Sequence, residues 1–307
     1  MEEIRITKNI EFANPVMIAG WPGMGSVALG VVDYLRRKLG ATKFAEIKLD
    51  PLATIDSVMV EDGVAAIPPA PKNTFYYIKN PEMIILEGEV QLSGQAGMAL
   101  LSKILDAAVK FKVKTIYTGA AFPMPVSYKE DPEIYGAVNK KPLLDTLKKL
   151  GMKAMEGGHI SGLNGLILGL ARERDIDAVC LLATMPQYAI SLPNPKASAA
   201  IIEALQKILN FLISLEEMDE YVKDMDERMA VIEDKVKDVM TMEKEVTPES
   251  PPKDKKAPGY IMEKIEKLFK EAKKDKSKAI ILKKELDRWD LYMLYEDRFL
   301  DLFKDSQ

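Results

Sequence analysis

Gly20-Trp21-Pro22-Gly23-Met24-Gly25 lies between a short apolar run at residues 16–19 and a helical pattern at 27–39, and this junction decides how the chain is read. It predicts a first strand followed at once by a first helix. In an open α/β sheet such a junction sits at the carboxyl edge of the strands, where ligands usually bind. Glycine lets the backbone turn sharply and come close to another group. Either the loop holds a ligand, or it is a tight turn that packs helix against strand. Its Gly-x-x-Gly-x-Gly spacing is not the dinucleotide fingerprint, and it lacks the Gly-Lys-Ser/Thr ending of a phosphate-binding loop. A position before a helix still suits an anion. Short glycine motifs are common in plain turns, so packing is the favoured reading.

Outward from the loop, short apolar runs alternate with helical patterns over the first two thirds of the chain. Strands are expected at residues 16–19, 44–49, 64–67, 74–78, 83–87, 115–119 and 178–183. Helices are expected at 25–39, 94–111, 141–150, 162–173 and from 196 onward. This alternation is the signature of a layered α/β fold. Residues 64–67 and 74–78 read as hairpin neighbours, which argues for a mixed sheet rather than a purely parallel one. Pro68-Pro69-Ala70-Pro71 and Pro123-Met124-Pro125 mark loops.

Asn194-Pro195 predicts the cap and first position of a long helix. Its apolar positions run Ile201, Leu205, Ile208, Leu212, Leu215, then Val222, Met225, Met229, Ile232, Val236 and Val239, a heptad seam that falters between Leu215 and Val222. About forty residues of helix reach on the order of 60 Å, so its second half is expected to project. From 241 to 258 the chain is rich in Lys, Glu, Pro and Ser and reads as a flexible linker. A final helical segment follows, with Trp289, Tyr292, Tyr295 and Phe299 in an aromatic stripe that needs something to pack on. The expected organisation is an α/β domain at 1–215, a projecting heptad helix at 216–240, a linker at 241–258 and a C-terminal helical segment at 259–307.

Composition narrows the function. The 307 residues are 47% hydrophobic and 29% charged, which suits a sizeable soluble core. A net charge of -4 leaves no electrostatic footprint for nucleic acid. One cysteine, Cys180, excludes an internal disulfide and fits a reducing cytoplasm. No apolar stretch is long enough for a membrane span, and Met1-Glu2-Glu3-Ile4-Arg5 does not open like a signal peptide. Abundant Lys and Glu with scarce Cys resembles thermophile proteins, although 17 Met do not fit that tendency.

Candidate chemistry is thin. His159 is the only histidine, so neither a His-rich metal site nor a Cys-based zinc site can be built. A Ser-His-Asp triad would need this one residue, and its neighbour Ser161 is too close along the chain for a usual nucleophile–base pair. Glu87 and Glu89 at a strand end have the residue type for acid–base work, but solvated acids are ordinary there. No catalytic residue, metal or cofactor is expected.

Several blocks, weak singly, are specific in their order and spacing. They are Gly20-Trp-Pro-Gly-Met-Gly-Ser-Val-Ala28, Glu87-Gly-Glu-Val-Gln91, Thr118-Gly-Ala-Ala-Phe-Pro123, Gly162-Leu-Asn-Gly-Leu166, and residues 188–198 with Leu192-Pro-Asn-Pro-Lys-Ala-Ser198. Together they resemble the archaeal branch of the proteasome assembly chaperone family over roughly residues 10–215. The resemblance implies a nucleoside-phosphorylase-like mixed sheet flanked by helices. It also implies a non-enzymatic chaperone or scaffold that forms homo-oligomers and binds core proteasome subunits or another assembly-related protein. Family activators often dock through a terminal hydrophobic–Tyr–any-residue ending. This chain ends Phe303-Lys-Asp-Ser-Gln307, and its Leu294-Tyr295-Glu296 is internal, so that mode is not expected. Gly20, Trp21, Pro22, Gly23, Gly25, Gly119 and Asn164 are then candidates for a vestigial ligand loop. Leu212, Leu215, Val222, Met225, Met229, Ile232, Trp289, Tyr292, Tyr295 and Phe299 are candidates for oligomer or partner helices. The competing reading is a nucleotide- or nucleoside-binding enzyme of the phosphorylase-like or ATP-grasp-like class. No clear Lys and acidic cluster accompanies the loop to hold a nucleotide and its metal.

Overall fold

The strand after the opening loop's apolar run has a simple cause. Val16–Gly20 (β2) carries no charge and is buried along nearly its whole length, as a strand covered on both faces must be. The computed structural model describes residues 4–49, 58–245, 259–275, 278–288, 291–300 and 302. Its elements divide into two compact units, Met1–Lys237 and Asp238–Gln307.

In the first unit, Arg5–Ile6 (β1) precedes β2, and Val27–Lys38 (α1) follows it. Thr42–Lys48 (β3), the small hairpin Met59–Glu61 (β4) and Val64–Ala66 (β5), then Lys72–Ile78 (β6) and Met83–Gly88 (β7) come next. Gly94–Lys110 (α2), Thr115–Met124 (β8), Ile134–Val138 (β9), Lys141–Lys149 (α3), Lys153–Ala154 (β10), Leu163–Glu173 (α4), Asp177–Pro186 (β11) and Pro195–Leu209 (α5) complete the layers. Nine strands form one sheet in the order β1-β3-β6-β7-β2-β8-β11-β9-β10. β7, β2, β8 and β11 run parallel, whereas β3–β6, β6–β7 and β11–β9 pair antiparallel. The expected layered mixed sheet flanked by helices is therefore present.

Each face of the sheet has its own core. One gathers Met17, Trp21, Phe44, Phe75, Leu86 and Phe111 with α2 and α4 residues such as Leu101, Ile104 and Ile167. The other gathers Ile18, Ile85, Val179 and Leu181 with Val31 and Leu35 of α1 and Ile201 and Leu205 of α5. Burying that apolar surface is the dominant favourable contribution to folding.

The structure corrects four expectations. Residues 64–66 pair with Met59–Glu61 in a separate two-stranded sheet, not with β6. The long helix is not continuous: α5 stops at Asn210, which adopts a left-handed φ of 51°, the usual way a helix C-terminus is closed. A new helix, Glu216–Glu245 (α6), begins after Ser214 accepts the Glu216 N–H at 3.3 Å. The start of α6 does not project. Met218 and Met229 are buried in the first unit, and the Glu233 carboxylate accepts from Ser127 Oγ at 2.8 Å and Tyr188 Oη at 2.7 Å. Residues 241–245 of the expected linker are helical, and 246–258 lie outside the described residues.

The C-terminal segment is not one helix but Gly259–Lys274 (α7), Ala279–Arg288 (α8) and Tyr292–Leu300 (α9). Ile265, Phe269, Leu282, Leu286, Leu291 and Phe299 bury one another. Of the aromatic stripe, Phe299 is buried inside this unit, and Tyr292 and Tyr295 pack against the same core.

Candidate functional site

The loop of residues 20–25 is a turn whose groups are engaged by the rest of the fold. A Cβ on Gly20 would sit 2.6 Å from the Ala28 carbonyl oxygen, so glycine here lets α1 pack directly on the strand end. Gly25 has a φ of 62°, which glycine adopts without steric cost. The Gly25 N–H donates to the Ile190 carbonyl at 2.9 Å, and the Asn194 N–H donates to the Gly25 carbonyl at 2.7 Å. Asn194 Oδ1 also accepts the Ala197 N–H at 2.9 Å, capping α5.

Trp21 points inward and is fully buried. Its indole N–H donates to Asn73 Oδ1 at 2.7 Å. Its backbone N–H donates to Asn164 Oδ1 at 3.1 Å, and Asn164 Nδ2 donates back to the Trp21 carbonyl at 3.2 Å. Thr118 Oγ1 donates to the Asn164 carbonyl at 2.7 Å. Gln91 Nε2 donates to the Pro22 carbonyl at 2.7 Å, while its Oε1 accepts the Leu163 N–H at 2.8 Å. These bonds tie together the blocks at 20–28, 87–91, 118–123, 162–166 and 188–198. The packing reading of the loop explains every one of them.

A pocket of about 630 Å³ nevertheless opens beside this knot. Its wall takes Pro22, Gly23 and Asn164 from the candidate loop, together with Met24, Gln91, Leu92, Ser93, Phe122, Met155, His159, Ile160 and Ser161. Gly20, Trp21, Gly25 and Gly119 do not line it. Among the described residues that line it, none is Lys, Arg, Asp or Glu, so it lacks the Lys and Arg side chains that pair strongly with a phosphate.

The expected acids are spoken for. Glu87 Oε2 accepts from Arg36 Nε at 2.8 Å, and Glu89 Oε2 accepts the Lys72 N–H at 3.1 Å. Burial pushes the Cys180 thiol up to about 12, which leaves it without thiolate character. Among the described residues no group of three or more His, Cys, Asp and Glu is placed to hold a metal.

The expected partner positions scatter. Leu212 is 92% exposed in the turn between α5 and α6, while Leu215 packs on the second core. Val222 and Met225 line a shallow crevice with Tyr128 and Pro186, and Ile232 is half-buried. Phe299 is buried in the C-terminal core with Tyr292 and Tyr295 against it; Trp289 lies outside the described residues. The internal Leu294-Tyr295-Glu296 lies within α9.

Sequence reasoning missed Asn73 and Glu233. Both are buried polar groups, and neither stands in a motif. Tyr188, which donates to Glu233, has its phenol pushed up from its ordinary value, chiefly by burial and then by this carboxylate.

The sequence profile of the PAC2 family matches residues 17–233. Among curated relatives, the uncharacterized protein MJ1210 of Methanocaldococcus jannaschii is 29% identical over 227 residues, spanning 73% of this chain and 85% of that protein. Among solved structures, Pyrococcus furiosus PbaB, an archaeal proteasome activator, is 26% identical with a TM-score of 0.65, spanning 76% of this chain and 100% of that chain. Pyrococcus furiosus PbaA, an archaeal homolog of proteasome-assembly chaperone, shares the fold at 21% identity and a TM-score of 0.60, over 77% of this chain and 99% of that chain.

Proposed function

The chain belongs to the PAC2 family, and from that premise we propose that it is a non-enzymatic, homo-oligomeric chaperone or scaffold that binds core proteasome subunits or another assembly partner in the cytoplasm. The observation that carries this reading is the likeness to PbaB, which extends over the whole of that chain. The glycine loop supports it, because its backbone is engaged in holding five sequence blocks together. The scaffold is read as nucleoside-phosphorylase-like, with residues 1–215 as its α/β body and the C-terminal helical unit as an added partner-binding element.

The test is co-purification of the full chain with recombinant core-particle α and β subunits, alongside its mass by light scattering. A homo-oligomer that retains a core subunit through size exclusion is the expected result. A monomer that retains neither subunit overturns the reading. A thermal-shift screen with nucleotides, nucleosides and phosphate tests the enzymatic alternative, and a saturable shift with any of them favours it.

A further inference from the structure

The β4–β5 hairpin is built from residues that a water-exposed ribbon does not need. Asp62 and Gly63, at φ 49° and 78°, form its two-residue turn, the favoured chemistry for a tight hairpin. Val58, Val60, Val64 and Ile67 are between 59% and 69% exposed. Among the described residues the two strands pair only with each other. A lone two-stranded ribbon is marginal in water unless something packs on it. Apart from Glu61 and Asp62 at the turn, residues 58–67 carry no charge, so its edges lack the charges that usually guard an exposed strand.

A cover of matching character exists on the same rim of the same chain. β3 ends at Lys48 opposite Lys72, and Asn73 lies opposite Gly88 at the end of β7. The hairpin therefore leaves the sheet at the edge where the carboxyl ends of β2 and β7 lie, and the pocket of about 630 Å³ opens at that edge. Met24, Leu92, Phe122, Met155 and Ile160 give it apolar walls. With no Lys, Arg, Asp or Glu among its described lining residues, the wall penalises a charged occupant, and the hairpin's flanks offer no charge.

We propose that the hairpin of one protomer seats in the pocket of a second copy of this chain, reciprocally, about a two-fold axis. This rests on the homo-oligomer reading above and names its surface. Because hairpin and pocket share one rim, a single patch holding both is self-complementary, as a two-fold contact requires. The pair is then counted twice, which brings so short an element closer to the ~1,200–2,000 Å² of a stable interface. Glu61 and Asp62 remain at the water-facing margin.

The experiment uses the full chain. Val60→Asp places a charge on the hairpin where no buried contact is lost, so its folded protomer should melt as wild type does. Its association should weaken at least tenfold by light scattering across a dilution series. In a second arm, Val60→Cys chains are mixed with Met155→Cys chains and treated with a short bis-maleimide. A cross-linked dimer in the mixture and in neither sample alone is the expected result. A wild-type oligomer left intact by Val60→Asp overturns this interface and leaves the oligomer reading standing. Val60→Cys chains that link to one another unmixed overturn it in favour of hairpin-to-hairpin pairing. Loss of core-subunit binding with the oligomer preserved overturns it in favour of a subunit-docking hairpin. A wild-type monomer overturns both readings.

Discussion

Trp21 and Asn164, 143 residues apart, hold each other by two opposed hydrogen bonds, backbone N–H to Oδ1 at 3.1 Å and Nδ2 to backbone carbonyl at 3.2 Å. Asn164 is thus a side-chain stand-in for a paired strand at the point where β2 stops. Asn164→Ala removes both partners while the Trp21 backbone stays buried. Each unpaired group costs about 1–3 kcal/mol. A correspondingly lower denaturant midpoint with an unchanged slope is the expected outcome.

Gly88 makes room for the Trp21 ring. A Cβ at Gly88 would lie 2.1 Å from the indole and 2.6 Å from Asn73 Oδ1. Gly88→Ala must therefore displace the ring or break its bond to Asn73. Its cost should fall at or above the top of the ~1–3 kcal/mol range for overpacking. In a Trp289→Phe background, the Trp21 emission should shift to the red. Gly94 is the contrast: its φ is 57°, yet an added Cβ meets nothing within 4 Å. Gly94→Ala should cost only the ~1–2 kcal/mol of a left-handed alanine and leave the emission unmoved.

How far the fold was legible follows from what each element needs. Central strands such as β2 and β7 are apolar runs buried on both faces, with Glu87 the one charge at the end of β7, and their bounds fell within a residue of the expectation. β1 and β10 are two residues long and exist because a neighbouring strand offers an edge, which no local pattern records. Asp62-Gly63 was a readable hairpin signal that the neighbouring prolines obscured. Asn210 was a readable helix stop hidden by the heptad spacing that continues past it. The site divides the same way. The ordered blocks that meet at the loop stood in the sequence. Asn73 and Glu233 could not be found there, because Asn73 meets Trp21 across 52 residues and Glu233 meets Tyr188 across 45. Tyr292, Tyr295 and Phe299 were legible as a packing face, but their cover comes from residues such as Phe269 and Leu282 on α7 and α8, which a periodic pattern does not name.

Arg37 and Lys38 at the end of α1 both pair with Glu217, at 2.5 Å and 2.6 Å, where α6 begins. The Lys38 and Arg37 hydrogen bonds lower the Glu217 carboxyl to about 2 from an ordinary 4.5. A depressed folded-state pKa contributes stability that is full above the unfolded value and fades as pH falls toward the folded one. This pair should therefore lose its contribution between about pH 5 and pH 2. Glu217→Gln should flatten that part of the stability–pH curve and leave the region above pH 6 parallel to wild type. Because the pair is near the surface, 1 M salt should shrink the difference.

The division between the two units predicts where the chain can be cut. Met218, Met229 and Glu233 anchor α6 on the first unit, and that unit extends to Lys237. A chain of residues 1–237 keeps all three anchors and should melt within a few degrees of the first unit in the full protein. A chain of residues 1–215 loses them, uncovering the Tyr188 and Ser127 hydroxyls and apolar surface around Met185. Two buried Met side chains alone represent several kcal/mol, at about 1.5–3 kcal/mol each. The shorter chain should therefore melt clearly lower and bind an apolar dye in its native state. Residues 238–307 carry their own core of Ile265, Phe269, Leu282, Leu286 and Phe299 and should show a cooperative helical melt when expressed alone. In the partner-binding reading, 1–237 retains the oligomer and loses affinity for core subunits. If 1–237 instead loses the oligomer, the C-terminal unit is part of the assembly itself.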